Sequence, residues 1–187
     1  MYIALLRGIN VGGHNKIKMA DLRKMFEKMN MPHVQTYIQS GNVLFESNET
    51  EEQLVEKVEH QILAEFGLTI SVIIRTATEM EDIVLICPFS KNAIQEAEAE
   101  ADTQWERLYV AMLLGAPQQE NIDRIHMYKN DREDYQVAGR DIYFLFHDSV
   151  RNSKLATNLH KLEVPTTMRN LRTMNKLVSM AKAMETK

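Results

Sequence analysis

Tyr2-Ile3-Ala4-Leu5-Leu6-Arg7-Gly8 reads almost residue for residue like Tyr109-Val110-Ala111-Met112-Leu113-Leu114-Gly115. A second pair follows in the same order. Ile74-Arg75-Thr76, with Met80 and Val84 downstream, matches Met168-Arg169-Asn170, with Met174 and Val178 downstream. Repeats in matching order imply a duplicated unit. The chain has 187 residues, so each copy would hold roughly 90 residues, enough for a modest core.

Around the first repeat, Tyr2 to Arg7 is a short apolar run with the character of a buried strand. Gly8 to Lys18 is a loop rich in Gly and Asn. Met19, Leu22, Met25, Phe26 and Met29 then recur at helical spacing. Val34 to Gln39 and Asn42 to Glu46 read as two strands joined by a Ser40-Gly41 hairpin turn. Thr50-Glu51-Glu52-Gln53 is a capping-box pattern opening a helix that Gly67 stops. Ile70 to Arg75 alternates as a strand, and Thr76 to Glu79 is a second capping box whose helix ends before Pro88.

The order is β-α-β-β-α-β plus a trailing helix, the split βαβ or ferredoxin-like arrangement. The second copy repeats it. Arg107–Leu114 reads as a strand, 118–125 as a short helix, and Tyr135–Val137 with Asp141–Phe146 as a hairpin around Gly139. Ser153–Leu162 reads as a helix, Thr166–Met168 as a short strand, and Leu171–Met184 as a closing helix. The predicted fold class is therefore α+β, a tandem duplication of a ferredoxin-like unit, with antiparallel sheets carrying helices on one face. The expected bounds are 1–90 for the first half, 91–104 for an acidic connector built around Glu96, Glu98, Glu100 and Asp102, and 105–187 for the second half.

Composition is that of an ordinary globular protein, 44% apolar and 26% charged. The 12 methionines sit mostly at apolar helix positions and read as core filling. Cys87 is the one cysteine, so no intrachain disulfide forms, and it reads as a buried inert thiol. The first residues enter a strand at once, with no signal-peptide pattern and no long apolar span. A cytoplasmic protein without membrane partners is the expectation. The net charge of −4 is unevenly spread. Residues 151–187 carry eight Lys/Arg against two acids, a basic end suited to an anionic partner.

No catalytic signature is present. Ser40 belongs to a turn rather than to a Gly-x-Ser-x-Gly motif. The six histidines (His14, His33, His60, His126, His147, His160) lack metal-ligand spacing, so no metal and no cofactor are expected. The loop Gly8-Ile9-Asn10-Val11-Gly12-Gly13-His14-Asn15-Lys16 is neither a P-loop nor a dinucleotide fingerprint. A glycine-rich strand-to-helix loop can nevertheless turn backbone N–H groups toward an anion, with Lys16 and Lys18 as counter-charge.

Leu5-Leu6-Arg7-Gly8-Ile9-Asn10-Val11-Gly12-Gly13 followed by Tyr37-Ile38-Gln39-Ser40-Gly41-Asn42-Val43 closely resembles a bacterial family known as domain of unknown function 1697. Arg75-Thr76, Ser153-Lys154-Leu155 and Arg169-Asn170 with Thr173 and Lys176-Leu177 resemble its later motifs. The resemblance spans essentially the whole chain and departs at Leu171, where many family members carry Trp. It implies a duplicated α+β fold and no established activity.

Motifs and repeat together select Arg7, Asn10, Gly12, Gly13, Lys16, Gln39, Ser40, Asn42, Lys154, Asn170 and Arg172 as ligand-binding residues, expected in a groove between the halves. Arg forks suit carboxylate and phosphate. Arg75 and Arg169 are kept by both copies, which favours a structural role for them. Arg7 has Leu114 as its repeat partner, which favours a functional one. The leading functional expectation is binding of a small anionic or phosphorylated ligand. Alternatives are a nucleic-acid-binding module using Arg169, Arg172 and Lys176, or a self-associating interaction module with exposed sheet edges. Tyr37, Phe45, Tyr143, Phe144 and Phe146 read as core rather than as a base-stacking platform.

Overall fold

A computed structural model of the chain describes residues 1–99 and 106–186. In the first part β1 (Tyr2–Leu6), α1 (Met19–Lys28), β2 (Gln35–Tyr37), β3 (Asn42–Phe45), α2 (Glu51–Phe66), β4 (Val72–Thr76) and α3 (Ala77–Leu85) follow in order. After α4 (Lys91–Ala99) come β5 (Leu108–Leu113), α5 (Gln119–His126), β6 (Glu133–Ala138), β7 (Asp141–Phe146), α6 (Lys154–Thr157), β8 (Thr166–Asn170) and α7 (Leu171–Glu185). The chain is an α+β protein with two four-stranded antiparallel sheets, ordered β2-β3-β1-β4 and β6-β7-β5-β8.

The apolar runs that open each repeat become the inner strands of these sheets. Ile3, Ala4, Leu5 and Leu6 are all fully buried, so both faces of β1 are covered. This is why its sequence is a continuous apolar run rather than an alternation. Ala4, Leu6, Val43, Phe45, Val72 and Ile74 pack on Leu22, Met25 and Phe26 of α1 and on Leu54, Val55, Val58 and Ile62 of α2. In the second sheet Ala111, Leu113, Ile142, Phe144 and Phe146 pack on Ile125, Leu155, Leu159 and Leu162. Phe45, Tyr143, Phe144 and Phe146 are core residues, and Tyr37 is half-buried.

Both capping boxes form. Thr50 accepts from Gln53 N while Gln53 Oε1 accepts from Thr50 N at 3.0 Å. Thr76 and Glu79 exchange the equivalent bonds at the start of α3. Gly67 ends α2 in the left-handed conformation, at φ +67°.

Several boundaries differ from the sequence reading. The hairpin of the first sheet has a four-residue connection, Ile38–Gly41, because Ile38 leaves the extended region at φ +46°. The segment 153–162 is not one helix: α6 stops at Thr157 and a 3-10 turn, Leu159–Leu162, follows. Thr157 Oγ1 donates to Ser153 O and Asn158 Nδ2 donates to Lys154 O, side-chain bonds that compete with continuation of the helix. Cys87 is half-buried rather than buried.

The described chain divides into a unit of Met1–Asp82 with Asn175–Lys187 and a unit of Ile83–Met174. These bounds differ from 1–90 and 105–187 because the helix after the fourth strand of each sheet is divided. The end of α3 counts with the second unit, where the Tyr143 hydroxyl donates to Ile83 O at 2.9 Å. Most of α7 counts with the first, where Lys182 pairs with Glu81 of α3. Lys91–Ala99 of the expected connector forms α4 and packs on β7. Residues 100–104, with Glu100 and Asp102, lie outside the described residues.

Gly41 sits at φ +77°, and a Cβ there would stand 2.7 Å from Ile9 Cδ1 and 2.9 Å from Leu6 Cβ. Gly41→Ala combines a left-handed backbone with overpacking and should cost about 2–4 kcal/mol in urea denaturation. A loss within error of zero would show that loop and turn do not pack this closely. Burial pushes the Tyr143 hydroxyl up to about 12 from 10.0. Its folded-state value lies above its unfolded one, so its contribution is complete below pH 10 and lost as pH rises through about 12. Tyr143→Phe should flatten that alkaline decline, measured by urea denaturation across pH 9 to about 12, and an unchanged decline would show that Tyr143 does not cause it.

Candidate anion-binding loop

Gly8 to Lys18 connects β1 to α1, and its path requires left-handed residues. Gly8, Asn10, Gly12, Gly13 and Asn15 all have positive φ, between +46° and +80°. Glycine adopts this region at no steric cost, and asparagine tolerates it better than most residues.

The Asn10 side chain holds the loop together. Its Nδ2 donates to Ile17 O and to Gln39 O, both at 2.9 Å, and its Oδ1 accepts from Ile17 N at 2.9 Å. Asn10 N donates to Asn15 O, and Asn15 Nδ2 donates to Gly8 O. The adjoining hairpin is pinned in the same way. Asn42 is fully buried, and its Nδ2 donates to Tyr37 O and to Ser40 Oγ, both at 3.0 Å. Leu6 N donates to Gly41 O and Arg7 N to Ser71 O.

Arg7, Asn10, Gly12, Gly13, Lys16, Gln39, Ser40 and Asn42 thus meet at one end of the first sheet, as two segments joined by the Asn10–Gln39 bond. Their roles separate. Asn10 and Asn42 build the loop and the turn from within. Arg7, Gly12, Gly13, Lys16 and Gln39 are exposed. Gly12 and Gly13 N–H groups donate to no described protein acceptor.

The electrostatics are one-sided. Residues 1–20 include Arg7, Lys16 and Lys18 and no Asp or Glu. Among the described residues none of these three side chains forms an ion pair or hydrogen bond. Lys18 occupies the N-cap of α1 with no side-chain cap, Asp21 N and Leu22 N donate to Lys18 O, and Asp21 places one carboxylate in the first turn. Two exposed aliphatic residues belong to these segments, Val11 in the loop at 64% and Ile38 in the turn at 48%. Nothing in their spacing marked them, because exposure and the sign of φ at Ile38 depend on how the two segments meet.

The remaining selected residues lie in the second unit. Asn170 Oδ1 accepts from Thr173 N at 2.8 Å and so caps α7. Arg172 is exposed and pairs with Glu106 at 3.3 Å. Lys154 is exposed beside Ser153, whose Oγ caps α6 and donates to the buried Glu133 carboxylate at 2.6 Å. The repeat-related arginines are interior. Arg75 pairs with Glu51 at 3.8 Å and donates to Ile74 O. Arg169 donates to Thr167 Oγ1 and Met168 O, and burial lowers it to about 10. That value keeps the guanidinium cationic at neutral pH.

Among the described residues no group of three or more His, Cys, Asp and Glu converges as a metal site. Among the described residues no helix is long and apolar enough to cross a membrane. A concavity of the first unit, about 620 Å³, is lined by Met1, Asn30, Met31, Pro32, Glu46, Ser47, Asn48, Glu49 and Glu185, none of them from the loop.

Asn10→Ala deletes three hydrogen bonds and strands Ile17 N, Ile17 O and Gln39 O. It should cost about 1–3 kcal/mol and speed amide exchange in residues 8–17. Unchanged exchange there would show that the loop is held by other contacts.

No curated protein matches the chain. A solved structure described as a conserved bacterial protein, SP0830 from Streptococcus pneumoniae, is similar to it at 26% identity and a TM-score of 0.70, over 96% of this chain and 97% of that one. The model of a family described as a protein of unknown function, DUF1697, matches residues 1–143, and the chain belongs to that family.

Proposed function

We propose that the protein binds a small anionic or phosphorylated ligand at the loop from Arg7 to Lys18, beside the turn Ile38–Gly41. One observation carries this reading. Arg7, Lys16 and Lys18 are exposed without acidic partners around a loop that Asn10 holds rigid, in a protein of net charge −4. Surface cations on an acidic protein are readily paired, and leaving three unpaired at one place favours an external anion. The Gly12 and Gly13 amides and the uncapped start of α1 add donors on the same loop.

The C-terminal basic segment supports a nucleic-acid reading less well. Arg169 is buried and Arg172 is already paired with Glu106. We further read the chain as a tandem duplication of a ferredoxin-like unit. Its support is the shared strand order and the matching register, in which Arg75 lies opposite Ile3 and Arg169 opposite Val110.

The test is thermal melting with inorganic phosphate, pyrophosphate and citrate, on the wild type and on Arg7→Ala/Lys16→Ala. A ligand at about 100 times its Kd should add about 2.7 kcal/mol of stability. The double variant exchanges only exposed side chains, so it should fold and bind about tenfold or more weakly. Equal shifts in both proteins, or none in either, would sink the reading.

A further inference from the structure

We propose that the second unit binds a small aromatic carboxylate in the concavity between α5 and the 3-10 turn Leu159–Leu162. Tyr128 and Met127 receive the ring, and Lys161 receives the carboxylate. This site shares no residue with the Arg7–Lys18 loop and stands independently of the anion reading above.

The concavity measures about 490 Å³ and is lined by Arg124, Met127, Tyr128, His160, Lys161 and Glu163. That volume falls in the range of small-molecule sites. Its two sides are joined beneath it. Ile125 of α5 shares one buried cluster with Leu159 and Leu162 of the turn, and the buried Asn121 Nδ2 donates to Leu162 O at 3.1 Å. Arg124 pairs with Glu163 across the two segments at 2.9 Å, and with Glu120 on its own helix. These contacts fix the walls before any ligand arrives and neutralise Arg124 and Glu163 within the protein. Lys161 is left as the uncompensated charge. Its Nζ stands 5.5 Å from the centroid of the Tyr128 ring, and among the described residues it has no acidic partner and no side-chain hydrogen bond. A solvated cation–π contact is weak, so a carboxylate can draw the ammonium while an aromatic ring shares the tyrosine. Met127 lines the same space and is 75% exposed, and a thioether is a favourable neighbour for an aromatic ring. His160 Nδ1 lies 3.2 Å from Thr157 O, which places the proton of the neutral ring on Nδ1 and leaves Nε2 without one to donate. An ammonium without a counter-ion, an aromatic face and a thioether in one concavity are complementary to a flat ring that carries a carboxylate.

The experiment titrates benzoate, cyclohexanecarboxylate and acetate into the protein and follows the backbone amides by heteronuclear NMR. Benzoate should shift the amides of residues 124–128 and 159–163. It should bind about threefold to tenfold more tightly than cyclohexanecarboxylate, which has the same charge and similar size but no π face. Acetate should bind more weakly than either, because it buries less apolar surface. Lys161→Gln should lower benzoate affinity about tenfold and leave the rest of the spectrum unchanged. Tyr128→Leu should remove the preference for benzoate over cyclohexanecarboxylate. Tyr128 also packs against the core, so Met127→Ala, which alters an exposed side chain, should lower the same preference at an unchanged melting temperature. Arg7→Ala/Lys16→Ala should bind benzoate as the wild type does. Equal binding of the three carboxylates, shifts confined to residues 7–18, or benzoate affinity unchanged in Lys161→Gln overturns the proposal. A concentration-dependent dimer that Met127→Ala breaks and benzoate does not would make a second copy the occupant and overturn it as well.

Discussion

Burial of β1 on both faces is the constraint from which the rest of the first unit follows. A strand of five residues with no solvent face cannot carry a ligand group along its length. Chemistry is displaced to its ends. At the C-terminal end the chain emerges as Arg7-Gly8 and must travel to α1 through residues that tolerate left-handed geometry. The same constraint acts at the neighbouring strand. Arg75 is almost wholly buried, so its charge is met within the protein by Glu51 and the Ile74 carbonyl. An ionised group so placed is costly unless paired and hydrogen-bonded, which makes Arg75 and its counterpart Arg169 parts of the framework.

The loop at the end of β1 depends in turn on Asn10. One amide side chain satisfies both backbone groups of Ile17 and the carbonyl of Gln39, joining segments 29 residues apart in sequence. A loop rich in glycine has high conformational entropy in the unfolded chain, and these three bonds offset part of that loss. The result is a loop whose backbone is tied to the neighbouring turn while its cationic side chains stay exposed. Bound by these exposed residues, a ligand would be held with electrostatics contributing more than enclosure.

Much of this was legible beforehand. The paired apolar runs placed β1 and β5, because a buried inner strand leaves a continuous apolar signature. Thr50 with Gln53 and Thr76 with Glu79 announced helix starts, since the capping box is a local arrangement within four residues. The structure brings Arg7, Asn10, Gln39, Ser40 and Asn42 to one end of the first sheet, but their division of labour was not visible in the sequence. Asn10, Asn42 and Asn170 carry the same side chain as a ligand contact would. Only the positions of Ile17, Gln39, Tyr37, Ser40 and Thr173 reveal that these amides are engaged in holding backbone. The helix read over 153–162 failed for a related reason, because Thr157 and Asn158 offered the backbone competing partners.

The sequence by itself determined which segments are apolar and where helices begin, and it pointed to the strand order that the two sheets share. These follow from periodicity and local capping, interactions that reach only a few residues. Tertiary structure decided which cations remain exposed, which asparagines are spent on the loop, how α3 and α7 are apportioned between the units, and that Ile38 stands outward in a left-handed turn. Those outcomes depend on hydrogen bonds and packing between residues far apart in the chain, which leave no local periodic trace.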